Sequence, residues 1–172
     1  MWWPEAGRAV VVAAICLSLA ACGFQPLYGR NQASVTGADL DTIQLPVIPD
    51  REGQLLRNYL QEAFNPDGRR RETVYRLDVY LQRSNQNLGV RRDGTATRIN
   101  LTLSATVILR TVADNKEVFR SNALSVVSYN NLEARFATVA AEQDAVRRAA
   151  QSLATSIATR ISVFLKNHKA KA

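Results

Sequence analysis

The chain has 172 residues and a formal net charge of +7, from 22 Lys and Arg against 15 Asp and Glu. This length fits one domain beside short terminal segments, and no run approaches the roughly 20 apolar residues that cross a bilayer. The chain contains two cysteines and one histidine, so it offers little for thiol or imidazole chemistry.

The first 19 residues consist of a short polar segment and an apolar one. Residues 1–8 form a short polar head with one Arg, and residues 9–19 are apolar apart from Ser18. A run of about 11 apolar residues fits the central region of a secretory signal peptide, and small residues precede Cys22, as signal cleavage requires. The sequence therefore predicts a signal peptide over residues 1–21 and a mature chain that begins at Cys22.

Cys22 could be a core thiol, half of a disulfide or a point of covalent attachment. Cleavage removes Cys16, so Cys22 has no disulfide partner, and a free thiol is a liability in an oxidising compartment. The tetrad Leu19-Ala20-Ala21-Cys22 resembles the bacterial lipobox, which implies S-diacylglycerol and N-acyl groups on Cys22. Several acyl chains would anchor the chain stably. The alternatives are an ordinary cleaved signal with a chance cysteine, or a buried N-terminal helix.

Residues 24–38 contain Pro26 and many polar side chains and predict a linker, which with Cys22 and Gly23 forms the segment 22–38. The remaining residues, 39–172, predict a single domain. Its first strand places Ile43, Leu45 and Val47 on one face. Pro49 and Asp50 then offer a cap for a helix. The apolar side of this helix comprises Leu55, Leu56, Tyr59, Leu60, Ala63 and Phe64.

Three strands and a long helix follow. Apolar residues alternate with polar ones from Tyr75 to Gln82, and again over residues 97–110, where the pattern indicates an antiparallel strand with one wet face. A fourth strand covers residues 117–129. Apolar residues from Val139 to Leu165 then recur every three or four positions, which predicts a helix over 138–165. The expected fold class is α+β: β-α-β-β-β-α, a four-stranded mixed sheet with two helices packed on one face.

Catalytic and metal-binding motifs are missing from the sequence. His168 lies among lysines in the expected C-terminal tail, without partners at a spacing that would serve a base or a metal ligand. The sequence contains no Gly-rich phosphate loop and no nucleophile elbow. We therefore expect a protein that is not an enzyme, with no catalytic residues, no metal and no cofactor.

The stretch CGFQPLYG after the lipobox, followed by the β-α-β-β-β-α order and a long Ala-rich helix, resembles the family of LPS-assembly lipoproteins. The residues from Phe24 to Gly29 resemble alphaproteobacterial members in particular. The resemblance implies a lipid-anchored partner that plugs the large outer-membrane LPS-assembly β-barrel, supports its assembly and helps deliver lipopolysaccharide to the outer leaflet. Gly23, where Asp commonly signals inner-membrane retention, implies the periplasmic face of the outer membrane.

The positive charge belongs to the mature chain, because cleavage removes one Arg and one Glu. Most cations are Arg, which can grip phosphate bidentately. Behind a lipobox the available polyanions are phosphorylated glycolipid and anionic headgroups, and nucleic acid is not an expected partner. Arg83, Arg91, Arg92 and Arg98 lie in the expected connection 83–98 and are the candidates for LPS phosphate. Arg69, Arg70 and Arg71 form a second cluster. The alternative for both is solvated turn charge.

Two other functions remain open at this point. One is a structural envelope lipoprotein that binds peptidoglycan or another scaffold without handling LPS. The other is a periplasmic carrier for apolar ligands, although two helices on one sheet of this length leave little volume for a lined cavity.

Replacing the expected lipid attachment residue tests the N-terminal interpretation. Cys22→Ala should abolish incorporation of labelled palmitate, because the thiol is the nucleophile that takes the lipid. Equal labelling of the wild type and the variant would contradict the lipobox assignment.

Overall fold

The computed structural model describes residues 40–66, 68, 72–90, 96–131 and 134–169, with the backbone alone at 90, 96, 97 and 169. All of them lie in one compact unit, Val35–Ala172. The elements are β1 (Ile43–Gln44), α1 (Asp50–Phe64), β2 (Tyr75–Val90), β3 (Ala96–Thr111), β4 (Glu117–Asn130) and α2 (Arg135–Lys169). The order β-α-β-β-β-α confirms the predicted α+β class.

The sheet is mixed, as expected, with strand order β1-β2-β3-β4. β1 runs parallel to β2, and the other neighbours are antiparallel. The alternation in β3 has the predicted consequence: Leu101, Leu103 and Leu109 are fully buried, and the residues between them face the opposite side of the sheet. We call the buried side the inner face and the other side the outer face.

Both helices contribute to one core with the inner face. α1 buries Leu56, Leu60 and Phe64, and α2 buries an aliphatic stripe that lies against β3 and β4. Between these larger side chains α2 presents small ones, which let the helix approach the sheet closely. The buried residues of α2 are Ala145, Val146, Ala149, Ala150, Leu153, Ala154, Ile157, Ala158, Ile161, Ser162 and Leu165.

The segment between β1 and α1 differs from the sequence prediction. The sequence predicts Val47 on the same face as Ile43 and Leu45, but Val47 is 79% exposed whereas those two residues are buried. Pairing with β2 ends at Gln44, and after Pro46 it is Ile48 that enters the core. Arg57 of α1 holds this segment through its Nε, which donates to the carbonyl of Pro46 at 3.2 Å. A Cβ at Gly53 would lie 2.7 Å from Ile48 Cγ2, so this close packing requires glycine.

Several helix details also need correction. Asp50 begins α1 but does not cap it; the N-cap residue is Pro49, without a side-chain hydrogen bond. Ala63 is exposed, and Val139 is 44% exposed although both were assigned to apolar stripes. α2 begins earlier and ends later than predicted. His168 therefore belongs to the helix and stacks on Phe164, with 5.3 Å between ring centroids, rather than lying in a frayed tail.

The connection predicted over residues 83–98 is mostly strand. β2 continues to Val90 and β3 begins at Ala96, so only residues 91–95 separate the two strands. The sequence prediction failed here because Ser, Asn and Gln replace apolar residues on both faces of β2 after Leu81, which removes the alternation that marks a half-buried strand.

The division into an inner and an outer face can be tested at adjacent positions of β3. Leu103→Asp should cost more than about 4 kcal/mol of unfolding free energy, because it buries an unpaired carboxylate. Thr102→Asp on the outer face should change it by less than about 0.5 kcal/mol. Urea unfolding of both variants measures the difference, and equal losses would contradict the assignment of the two faces.

Candidate functional site

Arg83 lies at the place where the helices cease to cover β2. It occupies an inner-face position opposite the fully buried Leu103, following the apolar inner residues Leu77, Val79 and Leu81. Residues 82–87 of β2 are all exposed. Arg83 therefore marks the edge of the core on this strand, and its aliphatic stem can pack while its guanidinium reaches water.

The guanidinium of Arg83 joins both helices to the sheet. Its Nη1 donates to Glu52 of α1 at 2.7 Å, and its Nη2 donates to Glu142 of α2. The three side chains retain 30%, 21% and 35% exposure for Arg83, Glu52 and Glu142. We call this arrangement the Arg83 clamp. It closes one end of the domain with charge-assisted hydrogen bonds where the apolar contacts stop.

The pKa shifts in the clamp have identifiable causes. The pKa of Glu52 is lowered by its own backbone N–H, which lies in the first turn of α1, and next by the Arg83 guanidinium. Partial burial alone would lower the pKa of Arg83, but its hydrogen bonds with Glu142 and Glu52 outweigh burial and raise that pKa. Both shifts favour the charged forms of Glu52 and Arg83.

Arg98 has a different environment. It stands at the beginning of β3 on the outer face, opposite Leu88 of β2 and Asn130 of β4. It lines an open cleft of about 460 Å³ with Ser128, Asn130 and the Asp144–Arg148 pair of α2, whose atoms lie 2.8 Å apart. Within the described residues Arg98 forms no ion pair, so its charge is available to an anion.

The remaining candidates cannot be placed in the same way. Cys22, Arg91 and Arg92, and the second cluster from Arg69 to Arg71, lie outside the described residues. Among the described residues, the pairing of Val90 with Ala96 puts Arg98 close to the ends of β2 and β3. Arg83 lies further along β2 in a separate set of contacts.

Sequence reasoning missed the carboxylates that engage Arg83. Glu52 and Glu142 are 31 and 59 residues away from it along the chain, and neither has a spacing that signals the contact. Within the parts of the chain that the structure describes, no group of three or more His, Cys, Asp or Glu could hold a metal ion. Over the same residues, no helix has both the length and the apolar character needed to cross a membrane.

Two single substitutions separate the clamp from the open cleft. Arg83→Gln should lower the free energy of unfolding by about 1–2 kcal/mol, because Glu52 and Glu142 lose their shared cation. Arg98→Gln should change it by less than about 0.5 kcal/mol. Urea unfolding at pH 7 measures both effects.

The pH dependence provides the control. Because the folded-state pKa of Glu52 lies below its ordinary value of 4.5, the clamp contributes fully above that value and weakens as pH falls through the lowered pKa. The difference between wild type and Arg83→Gln should therefore shrink in acid. A difference that stays constant down to the acid transition would contradict an ionic role for Arg83.

Comparison with known proteins identifies the family. The model of the LptE family, described as lipopolysaccharide-assembly, matches residues 40–161 and thus does not depend on the N-terminal motif. No curated protein sequence matches the chain.

Three solved structures have a similar fold. A lipoprotein from Caulobacter crescentus CB15 is 25% identical, with a TM-score of 0.63 over 76% of this chain and 95% of that chain. A minor lipoprotein from Acinetobacter baumannii is 21% identical, with a TM-score of 0.53 over 70% and 90%. The rare lipoprotein B from Shewanella oneidensis is 12% identical, with a TM-score of 0.55 over 74% and 96%. The chain belongs to the LptE family and is a non-enzymatic, outer-membrane-associated lipoprotein of lipopolysaccharide assembly.

Proposed function

We propose that this chain, anchored through acyl groups on Cys22, plugs the lumen of the large LPS-assembly β-barrel, supports its assembly and helps deliver LPS to the outer leaflet. The observation that carries this proposal is the family match over residues 40–161. The polarity of the domain surface is also compatible with the interior of a barrel. A barrel lumen is polar, and the outer face of the sheet carries mainly hydroxyl, amide and charged side chains.

A second part of the proposal concerns phosphate recognition at the end of the sheet where Arg98 lies. We propose that Arg91, Arg92 and Arg98 contact LPS phosphates, because Arg98 has no carboxylate partner among the described residues and the other two precede it closely in the sequence. Arg83 is the fourth candidate, but a phosphate near it would meet the negative charges of Glu52 and Glu142. Its proposed role is therefore to position β2 and not to bind phosphate directly.

The alternative of a peptidoglycan-binding envelope lipoprotein predicts another partner. Affinity capture of the mature chain from a native detergent extract should recover a large β-barrel protein together with LPS. The partner is identified by mass spectrometry and LPS by its sugar and acyl content. Recovery of peptidoglycan fragments without the barrel would contradict the proposal.

The same capture tests the arginines. Replacing Arg91 and Arg92 by Ala should lower the amount of bound LPS severalfold and make residual binding less sensitive to salt, because exposed charge–phosphate contacts are screened within about 8 Å at physiological ionic strength. Barrel recovery and folding should be unchanged. Lys at both positions should restore only part of the binding, because Lys lacks the bidentate fork.

The matched control replaces Arg69 and Arg70 by Ala and removes the same charge elsewhere. An equal loss of LPS in both double variants would mean that general electrostatics, and not the connection between β2 and β3, attracts LPS. No loss in either would contradict phosphate binding and leave the barrel interaction alone.

A further inference from the structure

A shallow groove lies at the centre of the outer face. Two cross-strand rows form it: Tyr80, Thr106 and Asn122, and beside them Gln82, Ser104 and Leu124. The groove has a volume of about 370 Å³, and the Tyr80 side chain is 61% exposed. Of the two helices that the structure describes, neither covers this side of the sheet, since α2 packs against the inner face of β3 and β4.

The groove belongs to a larger surface without charge. It comprises the outward positions of residues 80–86, 100–106 and 122–128, and we call it the uncharged field. The uncharged field is about 20 Å long in the strand direction and about 10 Å wide across its three strands. Charged side chains begin only in the next rows, with Asp78 and Arg120 at one end and Arg98 at the other. In a chain of net charge +7, this is a distinct chemical surface.

Ion pairs border one end of the uncharged field. Asp78 contacts Arg76 at 2.9 Å and Arg110 at 3.4 Å, and Glu117 contacts Arg120 at 2.8 Å. These three cations share two carboxylates, which offset most of their charge. Arg98 at the far end, by contrast, has no carboxylate partner among the described residues.

The side chains of the field can both donate and accept hydrogen bonds. Most are Ser, Thr, Asn or Gln, and Ser128 donates to Asn100 Oδ1 at 2.5 Å. In the part of the chain that the structure describes, the polar side chains of the groove itself (Gln82, Ser104, Thr106 and Asn122) have no hydrogen-bond partner. A ligand that presents many hydroxyl groups could engage these four side chains together, from a rigid antiparallel sheet.

We propose that the uncharged field binds the neutral sugars of lipopolysaccharide, with a sugar ring stacked on Tyr80 and its hydroxyl groups bonded to Gln82, Thr106 and Asn122. A sugar ring has hydroxyls at its rim and an apolar face of C–H groups, which an exposed aromatic ring matches. This inference rests on the proposed function and divides LPS recognition between two surfaces: cations at the end of the sheet for phosphate, and the uncharged field for glycan.

Other ligand classes fit the uncharged field less well. Phosphate would find no cation within it. An acyl chain needs an enclosed apolar pocket, whereas this groove is open and lined largely by polar groups. A protein partner with an apolar interface could use the exposed Tyr80, Leu124 and Val126, but this hydroxyl- and amide-rich surface is more polar than the centre of such an interface. Contact of the field with the polar wall of the barrel is the alternative that the experiment below tests.

The test uses the full mature chain in detergent and the phosphate-free oligosaccharide released from LPS as the probe. Saturation-transfer NMR should show contact with the sugar, and titration should give weak binding that Tyr80→Ala reduces about three- to ten-fold. Tyr80→Phe keeps the ring and should retain most of the affinity, whereas Asn122→Ala should lose part of it. Phe136→Ala removes another exposed aromatic, at 86% exposure on α2, and should have no effect.

The remaining outcomes overturn the inference in distinguishable ways. Binding of soluble peptidoglycan glycan fragments but not of the LPS oligosaccharide would reject LPS as the source. Absence of sugar binding, with Tyr80→Ala instead weakening capture of the barrel, would make the field a protein-docking surface. In that case the proposed function would stand, whereas failure of the wild-type chain to capture the barrel would reject the plug proposal independently.

Discussion

The burial of one face of a long antiparallel sheet under α2 is the constraint on which the rest of the molecule depends. Leu101, Leu103 and Leu109 are fully buried, and each contributes on the order of 1.5–3 kcal/mol on removal from water. The alanines of α2 make this burial possible, because small side chains let the helix axis approach the strands. Because the inner face is buried in the core, the outer face is the side of the sheet that remains accessible to ligands.

The apolar core covers less of β2 than the length of that strand, and this difference leaves part of the strand exposed. On β2 the covered part ends at Arg83, and the strand continues to Val90 with its residues largely exposed. The Arg83 clamp replaces apolar contacts with charge-assisted hydrogen bonds at this boundary and ties α1, α2 and β2 together. Beyond it, residues 84–87 of β2 are exposed, and Arg98 of β3 forms no ion pair with any described residue.

The prediction from sequence succeeded where one face of an element was buried. The alternation in β3 and the apolar spacing in α2 gave the class, the element order and the inner residues, and the family match confirms the interpretation as a non-enzymatic LPS-assembly lipoprotein. It failed where burial stops. The end of β2 lacks an apolar face, so its sequence predicts a connection instead of a strand. The apolar alternation continues to Val47 and gives no sign that strand pairing ends after Gln44. The Arg83 clamp depends on contacts across 31 and 59 residues, which spacing cannot indicate.

The distribution of charge links these regions. Among the described ion pairs, Arg76, Arg83, Arg110, Arg120, Arg147 and Arg148 are matched with carboxylates of the same domain. The excess of +7 must therefore reside largely in other cations, among them Arg98 and the clusters at residues 69–71 and 91–92.

A surface that is neutral in its centre and cationic at one end would distinguish the two ends of a bound ligand. An amphiphile with phosphates at one part and neutral sugars at another would be held in one direction by such a surface, because reversing it would place phosphate against hydroxyls and sugar against guanidinium groups. Holding an amphiphile in one direction would suit the proposed delivery of LPS toward the outer leaflet.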